Sequence, residues 1–194
     1  MQNSWLVKPG VFLGSLVVPP SKSHTMRAII SASLADGKSV ITNVLDSPDT
    51  ALMIKACISF GAKIIKIKSD LFICGVAGKP VFVNNTIDAG NSGIIYRFIT
   101  GVAALSIDWV VIDGDDSIRK NRSIQPLIDA LQVMGAQVEF LLKPGRAPFK
   151  IKGPIQLKDI VIESIDSQPI SALMWLGLCG KCDFVIEFLH CKEQ

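Results

Sequence analysis

The spacing of apolar residues along the chain switches between a helical and a strand pattern, in an order that recurs. Apolar positions three and four residues apart predict a helix over residues 23–34, and a short apolar run predicts a strand at 39–44. A Ser-Pro-Asp-Thr sequence, typical of a helix start, opens a second helix at Ser47. The following residues predict a hairpin over 63–74, with its turn at Ser69-Asp70.

The same order recurs about 74 residues further along the chain. A helix is predicted from the segment Gly90–Gly93 onward, a strand at 109–113, a helix ending at Met134 and a hairpin over 137–152. In both copies the second helix ends in a bulky residue followed by Gly-Ala, and glycine is a common helix stop. The recurrence indicates an internal repeat.

A third copy begins with a strand at 160–162, continues with a helix that contains residues 170–178, and reaches a strand at 184–189. Repeats of this kind bury their faces against one another. We therefore expect an α/β (α+β) fold of repeated β-α-β-α-β-β units. Two units are expected to be complete, at about 21–83 and 84–156, and the third, at about 157–194, lacks its second helix and hairpin. The chain is accordingly expected to be a fragment of a longer protein.

Composition and charge exclude several classes of protein. The 194 residues are 49% hydrophobic and 19% charged, with a formal net charge of +3, which is too weak to favour nucleic-acid binding. The most apolar helical run, 170–178, is far shorter than the roughly 20 residues that span a bilayer. The first residues have no signal-peptide pattern, so we expect a cytoplasmic protein that contacts neither nucleic acid nor membrane.

Cysteine usage raises the possibility of a metal site. Cys179 and Cys182, followed by His190 and Cys191, resemble a set of zinc ligands. The intervening strand would hold the two pairs roughly 23 Å apart, which is too far for one ion. We therefore expect no metal, and free thiols at all five cysteines. These are Cys57, Cys74, Cys179, Cys182 and Cys191.

The first helix of each copy starts with small or polar residues. The three starts are Ser21-Lys22-Ser23, Gly90-Asn91-Ser92-Gly93 and Asp166-Ser167-Gln168. Each could be an ordinary helix cap. If the three N-termini converge on one side of the domain, their free N–H groups form an electropositive pocket, which Lys22 and Arg27 strengthen.

A basic segment, residues 113–123, connects a predicted buried strand to a helix. We place its cations, Arg119, Lys120 and Arg122, at or just before the N-terminus of that helix, where the helix dipole disfavours positive charge. An anion would compensate, and arginine binds phosphate or carboxylate through two parallel hydrogen bonds. The alternative is a solvated surface loop.

Taken together, these motifs resemble the amino-terminal part of the 5-enolpyruvylshikimate-3-phosphate synthase family. The matching stretches run in the family's order through nearly the whole chain. They are Pro20-Ser21-Lys22-Ser23 with Arg27, Leu45 to Thr50, Gly90 to Gly93 with Arg97, Gly114 to Lys120 with Arg122, and Ser167-Gln168 with Ser171-Ala172-Leu173.

The resemblance implies a fold and a reaction. Each of two domains would consist of three units packed as an inside-out α/β barrel, with residues 1–20 belonging to the second domain. The family transfers the enolpyruvyl group of phosphoenolpyruvate to the 5-hydroxyl of shikimate 3-phosphate and releases phosphate. It needs no cofactor or metal, and the full-length protein is expected to be a monomer.

The resemblance also implies the binding residues. Shikimate 3-phosphate would be bound by Lys22, Ser23, Arg27, Asp166, Ser167 and Gln168. Phosphoenolpyruvate would be bound by Lys22, Gly93, Arg122 and Gln168. Supporting residues would be Asp49, Asn91, Arg97 and Arg119. The family's catalytic acid and base lie in its second half, so the chain alone is expected to be inactive.

Several residues differ from the family pattern. Asp166 replaces the first of two serines, Ile94 and Phe98 replace a threonine and a proline, and Ser123 replaces a proline. Two alternative functions remain. One is the related transferase that acts on UDP-N-acetylglucosamine, and the other is a non-catalytic anion-binding module built from the same repeats.

Overall fold

The computed structural model describes residues 4–11, 13–163, 166–180 and 182–189, which form helices and strands in three successive groups. The first group comprises α1 (Lys22–Leu34), β1 (Lys38–Ile41), α2 (Pro48–Ser59), β2 (Lys63–Ile67) and β3 (Asp70–Cys74). The second comprises β4 (Thr86–Asp88), α3 (Gly93–Ala103), β5 (Val110–Asp113), α4 (Asp116–Asn121), α5 (Gln125–Val133), β6 (Gln137–Phe140) and β7 (Phe149–Lys152). The third comprises β8 (Ile160–Glu163), α6 (Ser167–Gly180) and β9 (Ile186–Leu189).

The strand order of the sheets repeats in the way that the sequence pattern repeats. The first sheet has the order β1-β3-β2, and the second has the order β4-β5-β7-β6, in which β5-β7-β6 matches the first sheet. Strands β4 and β5 are parallel and α3 connects them; β8 and β9 are parallel and α6 connects them. A parallel pair needs such a crossover helix. The mixed α/β class expected from the sequence is confirmed.

The second helix of each complete group ends in the same local structure. Gly61 and Gly135 have φ angles of 103° and 104°, in the left-handed region that glycine adopts without strain. The N–H groups of the next residues, Ala62 and Ala136, bond to carbonyls five residues back, at 3.2 and 2.9 Å. The Gly-Ala repeat therefore marks two equivalent helix ends.

Helix α3 lies at the centre of the core. Every residue of α3 except Ile94 is buried, and the helix contacts α1, α2, α5 and α6. The Phe98 side chain packs edge-on against Trp175 of α6, and Tyr96 packs against Phe149 of β7. The first sheet lies on the outer side of these helices, as the 41% exposure of Phe72 on its central strand shows. The arrangement places the first helices of the three groups side by side.

Three local predictions were wrong. The first hairpin turns at Lys68-Ser69 rather than Ser69-Asp70, because Ile67 pairs with Asp70 and Lys68 adopts a φ of 54°. Strand β4 was not predicted, since three residues are too few for a recognisable alternation. The basic segment contains helix α4, which Asp115 caps through bonds from the N–H groups of Ser117 and Ile118.

Residues 4–11 and 13–20 have neither helix nor strand. Their apolar side chains are largely exposed, for example Trp5 at 92% and Leu13 at 93%. The assignment of residues 1–20 to a second domain stays a prediction. No helix in the described parts of the chain has both the length and the apolar character needed to cross a bilayer.

Four cysteines lie within the described residues, and all four are free thiols: Cys57, Cys74, Cys179 and Cys182. Burial raises the pKa of the Cys57 thiol to about 12, against a smaller lowering by the Ser33 hydroxyl, so Cys57 stays protonated in the core. His190 and Cys191, the other half of the zinc-like motif, lie outside the described residues.

Candidate functional site

Four helices direct their N-terminal ends at one cavity of about 350 Å³. Its lining comes from the starts of α1, α2, α3 and α6 and from the segment after α4. The lining residues are Lys22, Asp49, Asn91, Ser92, Gly93, Ile94, Arg122 and Gln168. The predicted convergence of the three helix starts is confirmed, and α2 adds a fourth. Free N–H groups and positive dipole ends at helix starts favour anions.

Lys22 and Asp49 form an ion pair across the cavity mouth. Lys22 follows the N-cap Ser21, whose hydroxyl accepts a bond from the His24 N–H at 3.3 Å. The Lys22 Nζ lies 3.1 Å from Asp49 Oδ2, and the side chains are 55% and 18% exposed. The ammonium group therefore remains accessible to a ligand while Asp49 holds it at the cavity.

Arg97 lies almost buried behind the cavity, where it joins three segments of the chain. Its Nη1 donates to Gln168 Oε1 at 3.0 Å, and its Nη2 donates to the Ser123 carbonyl at 3.3 Å. Its Nη2 also lies 3.5 Å from Asp166 Oδ2. Burial lowers the pKa of Arg97, Asp166 raises it and Arg122 lowers it further, so Asp166 stabilises a charge that the other two disfavour.

Gly93 permits the close approach of these side chains. A Cβ atom at position 93 would lie 2.9 Å from Arg97 Nη1, 3.0 Å from Arg122 Nη1 and 3.5 Å from Gln168 Oε1. Any other residue would displace the two guanidinium groups. Gly93, Arg97, Arg122, Asp166 and Gln168 are called the guanidinium cluster below.

Arg122 is the accessible cation of the guanidinium cluster. It caps the C-terminus of α4, it is exposed, and it makes no hydrogen bond or ion pair with another described residue. It lines the 350 Å³ cavity and also a neighbouring cavity of about 670 Å³. Its charge is therefore available to an anion in either space.

A second group of residues surrounds Arg27, one turn into α1. The Arg27 Nη1 donates to Ser23 Oγ, and Nη2 lies 3.4 Å from Ser167 Oγ and 3.2 Å from Ser171 Oγ. The guanidinium also lies over the Phe98 ring, 5.3 Å from its centroid. No described carboxylate forms an ion pair with Arg27. These residues, the serine cluster, present a cation supported only by neutral groups.

We predicted that the cations of the basic segment lie at a helix N-terminus, and this prediction is wrong for two of the three. Arg119 and Lys120 lie in the last turn of α4, where the helix dipole favours positive charge. Arg119 donates to both oxygens of Asp113, at 2.9 and 2.6 Å, and Lys120 pairs with Asp116 at 2.8 Å. Arg119 and Lys120 are thus each paired with a carboxylate. Arg122 is the cation of this segment that forms no ion pair with a described residue.

The same contacts set the charge state of Asp113. Burial raises its pKa, but the bonds from Arg119 and from the Gly114 N–H outweigh that effect and leave the pKa below its usual value.

Asp166, the acidic departure from the family pattern, points away from the serine cluster. Its Oδ1 accepts from the Gln168 N–H at 2.8 Å, which caps the start of α6, and its Oδ2 pairs with Arg97. The carboxylate lines the 670 Å³ cavity and not the 350 Å³ cavity. The assignment of Asp166 to shikimate 3-phosphate binding stays a prediction.

Sequence reasoning missed three contributors. Ser171 was matched to the family motif but given no role in the site; it lies one turn after Ser167 on α6, a spacing of four that could have indicated one. The Ser123 carbonyl, which accepts from Arg97, leaves no signal in the sequence. Phe98 was recognised as a departure, but its contact with Arg27 of another helix could not be read from the chain.

Comparison with known proteins gives consistent results. The family model of EPSP synthase (3-phosphoshikimate 1-carboxyvinyltransferase) matches residues 7–186. The 3-phosphoshikimate 1-carboxyvinyltransferase of Chlamydia caviae is 40% identical over 191 residues, which are 98% of this chain and 43% of that protein. The enzyme of that name from Chlamydia pneumoniae is 40% identical over 188 residues, 94% of this chain and 41% of the relative.

A solved structure agrees with the sequence comparisons. The EPSP synthase of Acinetobacter baumannii superimposes with a TM-score of 0.77 at 28% identity, covering 85% of this chain and 38% of that one. The chain thus spans about two fifths of the length of the relatives that it matches. Because the family model extends over nearly the whole chain, the chain belongs to the EPSP synthase family.

Proposed function

We propose that the two clusters bind the two substrates of an enolpyruvyl transfer. In this proposal the serine cluster and Lys22 bind shikimate 3-phosphate, and Gly93, Arg122 and Lys22 bind phosphoenolpyruvate. Gln168 lies between the ligands. The full-length protein then transfers the enolpyruvyl group to the 5-hydroxyl of shikimate 3-phosphate and releases phosphate.

The main support for the proposal is that two arginines beside the converging helix starts have no carboxylate to neutralise their charge. Arg27 and Arg122 form no ion pair with a carboxylate among the described residues. The cations Lys22, Arg27, Arg97 and Arg122 outnumber the carboxylates Asp49, Asp166 and Glu163, which leaves a net charge of +1. Both proposed substrates are anions that would offset this charge.

The 194 residues alone are expected to bind without turnover. Two of the three carboxylates that line the cavities are held by cations, Asp49 by Lys22 and Asp166 by Arg97, and the third is Glu163. By the family resemblance, the acid and base of the transfer lie in the second half of the full-length protein. Positioned acid and base groups usually contribute a large part of such a rate, so a phosphate-release assay on the chain should give no turnover above background.

The binding proposal is tested by titrating the 15N-labelled chain with shikimate 3-phosphate and following the amide signals by NMR. Saturable shifts are expected at Ser23, Arg27 and Ser167. Shikimate, which lacks the phosphate, and UDP-N-acetylglucosamine should produce none at the same concentrations. Shifts equal to those of shikimate 3-phosphate with either control, or no saturable shift with shikimate 3-phosphate, would contradict the proposal.

A charge-matched variant separates a specific site from general attraction. Lys22→Ala removes a cation from the cavity mouth, whereas Lys63→Ala removes one from the exposed first sheet. A charge-assisted hydrogen bond contributes about 1.5–3 kcal/mol. Lys22→Ala should therefore weaken shikimate 3-phosphate binding at least tenfold, and Lys63→Ala should leave the dissociation constant unchanged.

A further inference from the structure

We propose that Phe98 is a positioning residue, which holds the Arg27 guanidinium in the orientation that receives the phosphorylated substrate. The proposal rests on the proposed function, because it assumes that Arg27 contacts shikimate 3-phosphate. The Phe98 side chain has no polar group that could bond to that ligand, so its effect on binding is indirect, and the proposed route is the Arg27 guanidinium.

The geometry places the cation over a fixed aromatic face. Arg27 Cζ lies 5.3 Å from the centroid of the Phe98 ring, within the roughly 6 Å at which a cation is attracted to an aromatic face. The Phe98 side chain is fully buried in the central helix α3. A buried ring in a close-packed core has little freedom to move.

Trp175 holds the ring from a second side. The Trp175 and Phe98 ring centroids are 4.5 Å apart at 75°, an edge-on contact. The Trp175 Nε1 donates to Ser31 Oγ of α1 at 3.0 Å. Phe98 of α3, Trp175 of α6 and Ser31 of α1 therefore join the three helices whose starts line the clusters, and Arg27 packs against that junction.

The aromatic support keeps the charge of Arg27 available. An ion-pair partner such as Asp166 stabilises Arg97 by neutralising it. The Phe98 ring and the hydroxyls of Ser23, Ser167 and Ser171 fix the Arg27 side chain without adding a negative charge. An arginine oriented before binding loses less side-chain entropy when the anion arrives.

The position of Phe98 on α3 also connects the two clusters. Phe98 lies five residues after Gly93, in the middle of the same buried helix. A displacement of α3 that moves the Gly93 backbone therefore moves the ring under Arg27. Phe98 therefore provides a contact between α3, which begins in the guanidinium cluster, and Arg27 of the serine cluster.

The test measures the side-chain Nε–Hε signals of the five arginines in the labelled chain, with Arg27 assigned by its loss in Arg27→Lys. A proton over a ring face is shielded, so we expect the Arg27 signal upfield of the other four. Phe98→Leu should move it downfield. Phe149→Leu, which makes the same change at a core ring that contacts Tyr96, should not.

The binding readout uses the same variants. A cation–π contact contributes enough for Phe98→Leu to weaken shikimate 3-phosphate binding roughly two- to thirtyfold. Phe149→Leu should leave the dissociation constant within the error of the parent value.

Each outcome decides one point. An unshielded Arg27 signal in the parent chain would overturn the stacking, and this measurement needs no folded variant at position 98. Equal dissociation constants for the parent chain and Phe98→Leu would overturn the positioning role alone. Failure of the parent chain to bind shikimate 3-phosphate would overturn the proposed function instead.

Discussion

The serine cluster and the guanidinium cluster both contain a partly or largely buried arginine near a helix start, yet their arginines have different partners. Arg27 is supported by three hydroxyls and an aromatic ring. Arg97 is supported by a carboxylate, an amide oxygen and a backbone carbonyl. On the proposed function, an arginine near a helix start binds a ligand only where its protein partners leave its charge uncompensated.

The two arginines of the basic segment also differ in their protein partners. Arg119 donates to both oxygens of Asp113, as a structural arginine does, whereas Arg122, three residues later, pairs with no described residue. Arg27 and Arg122 should therefore govern ligand affinity, and Arg97 and Arg119 should govern stability.

The largest effect on stability is expected from Arg97→Ala. The substitution removes the cation that pairs with the Asp166 carboxylate and donates to the Gln168 amide oxygen. Removing one member of a buried ion pair costs about 3–5 kcal/mol, and because Asp166 is partly exposed we expect about 2–3 kcal/mol from urea denaturation. Lys120→Ala, which breaks an exposed surface pair with Asp116, is the control and should cost under about 1 kcal/mol.

Arg27→Ala should reverse that pattern. It removes the cation of the serine cluster without removing the partner of a carboxylate, so the free energy of unfolding should fall by less than it does in Arg97→Ala. Shikimate 3-phosphate binding should weaken by about 1.5–3 kcal/mol, measured by calorimetry. A large loss of stability with unchanged affinity would place Arg27 in the structural class with Arg97.

Gly93→Ala should affect the guanidinium cluster more than the serine cluster. The added methyl group would lie about 3 Å from both guanidinium groups, so these side chains have to move. Phosphoenolpyruvate affinity should fall several-fold while shikimate 3-phosphate affinity stays near the parent value. Gly135→Ala, at a helix end far from both clusters, tests whether loss of a glycine alone produces the effect.

The smallest effect is expected from Arg119→Ala. Binding of either ligand should not change, and stability at neutral pH should fall only slightly, because the pair with Asp113 is exposed. The pKa of Asp113 is held below its usual value, so the pair stabilises the folded state above an unfolded pKa of about 3.9. That contribution is lost as the pH falls through the lower folded pKa. The stability difference between the parent and Arg119→Ala should therefore disappear in strong acid.

The sequence was sufficient for the features that depend on neighbouring residues. Ser21 and Ser47 could be identified as caps, and the Gly-Ala pairs after Phe60 and Met134 as helix ends, because each signal lies within one turn. The approach of the three helix starts followed from the repeat. Helix α4 was missed since its six residues are too few for a helical period.

The charge state of each arginine could not be predicted in the same way. Arg97 lies among apolar residues of α3, and its carboxylate partner is 69 positions away at Asp166. Arg122 resembles Arg119 in sequence, but only the folded chain shows which of them meets Asp113. Partners from distant elements determine these charges, and one sequence does not specify such contacts.

The central claim, that uncompensated arginines bind the ligands, is tested most directly in the unmodified chain. The five arginine side-chain signals are followed by NMR while shikimate 3-phosphate and then phosphoenolpyruvate are added. The account predicts that Arg27 responds to the first ligand and Arg122 to the second, while Arg119 does not move and Arg97 moves less than either. Ligand-induced shifts centred on Arg97 or Arg119, with Arg27 and Arg122 unchanged, would contradict it.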